Sequence, residues 1–434
     1  MDEENPEIEV HSTAGRTFGD DPDYNEFRDL ISTRWQPFYF ADDFQQAIRF
    51  VKAHYPKSQI DRHFNEVGCK IPEHFSYTSR WTMYNQIYRM DNQVPKWREA
   101  SISMPNGRRF FYFRDPVESA RYLLRQRPYK DHRVYGPTRA VDTEGDRAYS
   151  EMSSADWWWE TQDRLPPWAT IVPLICGSDE MQLTDFSGDK KAWPINLTIG
   201  NIHSSIRNKY SYLALILHAF LPVPPKFQWN SASNDRAQRD INQQVLCDIA
   251  KIVLEPVTRF PTGGDINSGA LWPCSDGKMR CCWPIFASWL ADHIEHANLM
   301  GVKDNAGPKC QTPKDKLGSR ILPPDLESHR RKSAVFQQKY REYQNAKTAS
   351  HHQAIKITED WFESMGARPV PCIFWDLPYV EAYDHHWPDI LHIIYITTFN
   401  HLMTWIEGYL QRHGKAAVFD EIWAGIPPYT NFYH

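Results

Sequence analysis

Between about residues 40 and 65, apolar positions of the segment ADDFQQAIRFVKAHY recur near helical spacing, with Phe44, Ile48, Phe50, Val51 and Tyr55 predicting an amphipathic helix. The pattern then changes to alternation in ASISMPNGRRFFYFRD, around an Asn106-Gly107 pair that favours a tight hairpin turn. DPVESARYLLRQ follows as a helix. The run PPWATIVPLICGSD is continuously apolar and ends in a polar pair, as expected of a buried central strand that delivers a side chain at its C-terminal edge. AWPINLTIGNI predicts a second strand, and YSYLALILHAFLPV either a third strand or a buried helix. Helical periodicity covers about 236–257. Asp276-Gly277 then separates the apolar arms ALWPCS and KMRCCWPIFASWLAD, a second hairpin whose longer arm ends at Asp292. The charged stretch 314–350 predicts an exposed helix. Strands mixed with helices give an α/β or α+β core.

Composition narrows this picture. At 434 residues two or three folding units are expected, and 41% hydrophobic residues with 17 Trp supply a packed core. A formal net charge of −5 neither requires nor excludes a nucleic-acid partner, because a local basic groove is compatible with an acidic average. The eight Cys are scattered without the spacing of a small secreted domain, so reduced thiols in an intracellular compartment are expected. MDEENPEIEV has no apolar core and does not read as a secretory signal. Ile390 to Ile406 is the most apolar long stretch. It carries His392, Thr397, Thr398, Asn400, His401 and Thr404, which predicts a buried helix rather than a membrane span.

The boundaries drawn from these shifts are a flexible acidic lead-in over 1–30, an accessory region over 31–150 and a core over 151–313. A charged helical insertion follows over 314–365, and an aromatic C-terminal part of the core over 366–434.

Several constellations could carry chemistry. Asp179 follows a buried strand, where a metal carboxylate would stand, although a turn-forming Asp has the same local pattern. Asp292, Glu295 and His296 would share one face of a helix beginning there, either as metal donors or as a solvated helix start. Cys281 and Cys282 fall on opposite faces of a strand and make poor co-ligands. Three consecutive tryptophans, Trp157–Trp159, cannot all face one way and predict a core or interface role rather than a base-stacking platform. Arg330, Arg331, Lys332, Lys339 and Arg341 form a basic stretch with a solvated helix face as its default reading. The His-rich DHHWPDILH segment leaves open an unrelated metallohydrolase using His385, His386 and His392.

From the Trp cluster onward the sequence resembles the Plavaka DNA transposases of basidiomycete fungi, relatives of CACTA-type elements. The carriers are YSEMSSADWWWETQDRLPPWATIVPLICGSDEMQLTDFSGDKKAWPINLTIGNI (149–202), then VLEPV, SDGKMRCCWPIFASWLAD and GPKC. FWDLPYVEAYDHHWPDILH and DEIWAGIPPYTNF complete the series, and VHSTAGRTFG and FRDPVESARYLL match upstream. The resemblance implies an RNase H-like nuclease core with insertions. It also implies DNA at transposon ends as partner, magnesium or manganese as cofactor, a nuclear location and a possible homo-oligomer. Asp179 and Asp292 match the first two acids of a DDE-type set and so become the expected catalytic and metal-binding residues. After Asp292 the relatives continue Pro-Glu-Gln, where this chain has Ile294, Glu295 and His296. The third acid of the family lies in a helix beyond the final TNFYH, and Glu407, Asp420 and Glu421 have no pattern marking them as substitutes. A truncated, catalytically impaired transposase is therefore the expectation. The alternatives are a non-catalytic DNA- or protein-binding derivative and a decaying element fragment. Relatives carry a zinc-like Cys-Pro-x-Cys pair; here Cys310 remains but Gly307 takes the first Cys position, which leaves zinc weakly supported.

Overall fold

A computed structural model of the chain describes residues 7–25, 38–53, 55–65, 75–90, 94–104, 107–183, 191–222, 232–260, 269–303, 306–311, 330–388, 395 and 398–424. The sheet strands are β1 (Arg98–Met104), β2 (Gly107–Phe113), β3 (Thr170–Ser178) and β4 (Lys191–Ile199). They continue with β5 (Ile216–Leu221), β6 (Ala270–Pro273), β7 (Lys278–Ala291) and β8 (His386–Pro388). Helices that bear on them include α1 (Pro116–Arg125), α2 (Asp156–Asp163), α3 (Ala232–Thr258) and α4 (His293–Leu299).

The strands share a ten-stranded sheet whose main path runs β6-β7-β3-β4-β5-β2-β1. β3, β4 and β5 form a consecutive antiparallel set. The chain then crosses through α3 and returns as β7, which lies parallel to β3, and β8 lies parallel to β7 on its far side. The apolar run that predicted a buried strand is β3, central in this array. YSYLALILHAFLPV resolves as the strand β5, not a helix. Both hairpins form: β1 pairs with β2 up to Met104 opposite Gly107, and β6 pairs with β7. Their turn glycines adopt φ of +114° at Gly107 and +77° at Gly277, a backbone region that side chains with a Cβ rarely enter. The β1–β2 hairpin, N-terminal to the division read near residue 150, thus extends the same sheet as β3.

Period-2 alternation sorts the strand side chains onto two faces. Val172, Leu174 and Cys176 of β3, with Ile195, Leu197 and Ile199 of β4, enter the large core. α1 and α3 cover that face. Asp115 caps α1 by accepting from the Val117 and Glu118 amides at 2.8 and 3.1 Å, and Pro116 opens it. In α3, Leu246, Ile249, Ala250, Val253, Leu254 and Val257 recur at helical spacing and are all buried. On the opposite face Ile171, Trp283 and Ile285 pack under Trp158 of α2. Trp158 and Trp159 are buried, so the tryptophan run is core as expected. Cys282 belongs to the first cluster and Cys281 to the second, on opposite faces as the strand period requires.

The N-terminal stretch read as a flexible lead-in is built into the fold where it is described. Thr17–Asp20 pairs with the start of β7, and Arg125 holds the buried Asp21 at 2.8 Å. A polar, Gly/Asp-rich segment can be ordered by such pairing, which composition does not register. A separate helical cluster collects Phe38, Phe50, Ile60, Tyr77 and Met83. At its centre the buried Asp43 carboxylate accepts from the amides of Phe40, Phe44 and Ser76 and from the Ser76 hydroxyl, at 3.1, 2.8, 2.9 and 2.6 Å. With the Tyr39 amide at 3.3 Å, Asp43→Ala orphans five donors and is expected to destabilise this cluster by about 3 kcal/mol, with urea unfolding as the check.

Two C-terminal expectations need correction. The charged stretch contains α5 (Ser333–Thr348), but α5 buries Phe336, Tyr343 and Ala346 against α6 (His352–Ser364) instead of standing exposed. Residues 312–329 lie outside the described residues. The helix expected to be buried over 390–406 is described from α7 (Phe399–Arg412), none of whose residues is buried. Its Phe399, Leu402, Trp405 and Tyr409 are exposed, and α7 packs against α8 (Ala416–Ala424). Apolar periodicity registers a helix but not what covers it. Among the described residues no helix is long and apolar enough to cross a membrane.

Candidate active site

β3 and β7 are adjacent and parallel, so their C-terminal ends come out on the same edge. Gly177 pairs with Leu290, and two residues later each strand presents an aspartate: Asp179 after β3 and Asp292 after β7. Strand spacing puts the two backbones about 5 Å apart at the last paired position. The structure therefore brings together the two acids that the sequence singled out. Asp179 is exposed, and no hydrogen bond joins its carboxylate to another described residue. Its neighbour Glu180 is tied to Lys191 across the turn. Asp185 and Asp189 lie outside the described residues.

Asp292 has a second task. It is the N-cap of α4, and its Oδ1 accepts from the Glu295 amide at 2.7 Å. Glu295 and His296 are both buried, so the helix start is not the solvated face that one of its two readings expected. The His296 Nε2 contacts the Trp289 carbonyl at 3.1 Å, and burial holds this imidazole below its usual pKa. Glu295 accepts from the Ser178 hydroxyl at Oε1 and from the Trp193 indole at Oε2, the latter at 3.1 Å. Burial raises its carboxyl to about 7, against the lowering effect of those two donors, while the charges of Asp292 and Asp179 add to the rise. Sequence reasoning missed this network, although Ser178 immediately before Asp179 and Trp289 three residues before Asp292 were visible as polar-tipped side chains beside both acids.

Among the described residues no three His, Cys, Asp or Glu side chains group so as to hold a metal ion. Two carboxylates on one edge nonetheless fit a magnesium or manganese ion, which takes one or two protein carboxylates and completes its shell with water and phosphate oxygens. Glu407, Asp420 and Glu421 lie exposed on α7 and α8.

Cys310 is half-buried and forms an isolated bridge with Arg330. A Cβ at Gly307 would stand 3.1 Å from the Cys310 sulfur, so the loop does hold these two positions together. The Arg331 guanidinium, bonded to the Gly307 carbonyl at 2.9 Å, brings a cation beside that thiol. One thiol beside an arginine does not fit zinc. His385 is buried, with Nδ1 at 2.8 Å from the Ala287 carbonyl, and acts as a packed strut between β7 and β8. The side chains of His386 and His392 lie outside the described residues. The basic stretch is divided: Arg331 is buried, while Lys339 pairs with Glu342 at 2.7 Å.

A cleft of about 1340 Å³ opens on the sheet face opposite the large core; Trp157, Thr198, Leu217, Leu290 and Tyr379 line it together with Arg164, Arg207, Lys209 and Lys309. Neither aspartate lines it. Comparison with known families decides what kind of chain carries this edge: the model of the Plavaka transposase family matches residues 77–406, about three-quarters of the chain. The chain belongs to the Plavaka transposase family. The match spans the whole path from the β1–β2 hairpin through both aspartates to α7 of this Plavaka-family chain. Among curated proteins none matches it.

Proposed function

We propose that this Plavaka-family chain is a DDE-type DNA transposase of impaired activity, whose site for cleaving and joining DNA at transposon ends has Asp179 and Asp292 as its metal carboxylates. The observation that carries the reading is their placement, in register, at the ends of two adjacent parallel strands. The strand directions support an RNase H-like core: three consecutive antiparallel strands, a helical crossover, a fourth strand parallel to the first and a fifth beyond it. A bound magnesium or manganese ion would supply charge neutralisation at the scissile phosphate and an activated water. The chain's own contribution is to present two hard oxygen donors from rigid strand ends, with Glu180 neutralised by Lys191 so that it does not compete. Fungal origin, kinship with CACTA-type elements, DNA as partner and work in the nucleus belong to the same reading.

The test is incubation of the full chain with DNA carrying the element's terminal repeats, in magnesium or manganese. Metal-dependent nicking at the repeat boundary is expected. Intact DNA in every metal, with the DNA nevertheless bound, contradicts the reading.

A second reading, a DNA- or protein-binding derivative without cleavage, draws on Asp292, whose Oδ1 is spent as a helix cap. It expects salt-dependent DNA binding that persists in a D179A/D292A double variant, because phosphate contacts depend on basic side chains rather than on these acids.

A further inference from the structure

At the acidic edge one buried residue joins the end of β3, the start of β4 and the start of α4. Glu295 Oε1 accepts from Ser178, the last residue of β3, and Oε2 accepts from Trp193 of β4. Ser178 Oγ in turn accepts from the Trp289 indole of β7 at 2.7 Å. The Glu295 amide donates to Asp292 Oδ1 at 2.7 Å. One residue thus reaches the Asp292 carboxylate through its backbone and the residue immediately before Asp179 through its side chain.

We propose that Glu295 is the positioning residue of the acidic pair, clamping the end of β3 and the start of β4 onto the helix start that Asp292 caps. The inference rests on reading Asp179 and Asp292 as metal carboxylates. Chemistry selects the residue type. A buried carboxyl is expensive, and an aliphatic side chain would fill the space at less cost. Two converging donors, a hydroxyl and an indole N–H, require two acceptor atoms in one plane. A carboxyl has them, whereas an amide would turn its NH₂ toward one of the donors. Without the clamp, no side-chain bond ties the end of β3 to α4 among the described residues, and the separation of the two aspartates is no longer fixed at their tips.

The test uses the full chain with E295A, E295Q and, as a control of ordinary core loss, L254A in α3, where Leu254 is fully buried about three helical turns beyond the Gln243 bonds to α4. Indole N–H exchange at Trp193 and Trp289 is followed by NMR, Mn²⁺ affinity by EPR and stability by melting. E295A is expected to speed exchange at both indoles and to weaken Mn²⁺ binding at least tenfold. E295Q, which keeps one acceptor and the fold, should fall between E295A and the unchanged chain. L254A should melt earlier with indole exchange and Mn²⁺ affinity unchanged. The proposal is overturned if both indoles exchange in E295A and E295Q as in the unchanged chain, or if L254A weakens Mn²⁺ binding as much as E295A. If the unchanged chain binds no Mn²⁺ while the indoles still respond to E295A, the metal reading fails and the clamp stands.

Discussion

D292N is expected to bind Mn²⁺ at least tenfold more weakly than the unchanged chain while keeping its stability, whereas D292A loses both. The reason is that Asp292 carries two separable duties. Its Oδ1 caps α4 through the Glu295 amide. Asn caps a helix about as well as Asp, so D292N retains this bond, while Ala at an N-cap costs about 1 kcal/mol. The negative charge matters to a divalent cation and not to the cap geometry, so D292N removes only the second duty. Asp179 has no cap duty: it is exposed and makes no hydrogen bond to another described residue. D179A is therefore expected to leave the melting temperature unchanged and still lower Mn²⁺ affinity at least tenfold. Metal-dependent cleavage should fall by a factor on the order of a thousand in D179A and in D292N, because both donors act on the same metal. Calorimetric Mn²⁺ titration alongside melting reads both duties. Equal Mn²⁺ affinity in D179A and the unchanged chain would remove Asp179 from the site.

The second large effect concerns acid stability. His218 on β5 is fully buried, and neither ring nitrogen has a hydrogen-bond partner among the described residues. Burial, aided by the nearby Arg114 charge, lowers its pKa to about 3. The unfolded chain protonates this imidazole near pH 6.5 and the folded chain resists until about 3. Between those values the unfolded state binds the extra proton, so stability present above pH 6.5 drains away as pH falls. The slope is about 1.4 kcal/mol per pH unit, and the total approaches roughly 4 kcal/mol near pH 3. H218F, filling the same apolar space without a titrating group, should flatten this part of the stability profile. Urea unfolding at pH 7, 5.5 and 4 tests it; parallel profiles for H218F and the unchanged chain would show that His218 does not govern acid lability.

Much of the acidic edge was legible in the sequence because it depends on local pattern. The apolar run before Asp179 and the hairpin arm before Asp292 each specify a strand and where it ends, and both strands form as read. Their parallel adjacency was not legible from period alone. It arises from the crossover through α3, and β4, β5 and α3 all separate the two strands in sequence. The helix after Asp292 was readable as a helix, yet the burial of Glu295 and His296 was not. What covers them, Ser178, Trp193 and Trp289, comes from three different strands. The same limit explains α7: its apolar stripe predicts a helix, while its exposure is set by the absence of a packed neighbour on that side among the described residues. Around Cys310 the sequence counted one thiol, and the structure adds the reason zinc does not fit, the Arg331 guanidinium beside it.

The most direct test of the central claim is an anomalous difference map from crystals of the full chain grown with Mn²⁺ and collected at the manganese edge. The account predicts a peak within coordination distance of both Asp179 and Asp292. A peak elsewhere, or none at this edge while Mn²⁺ occupies other positions, would contradict it.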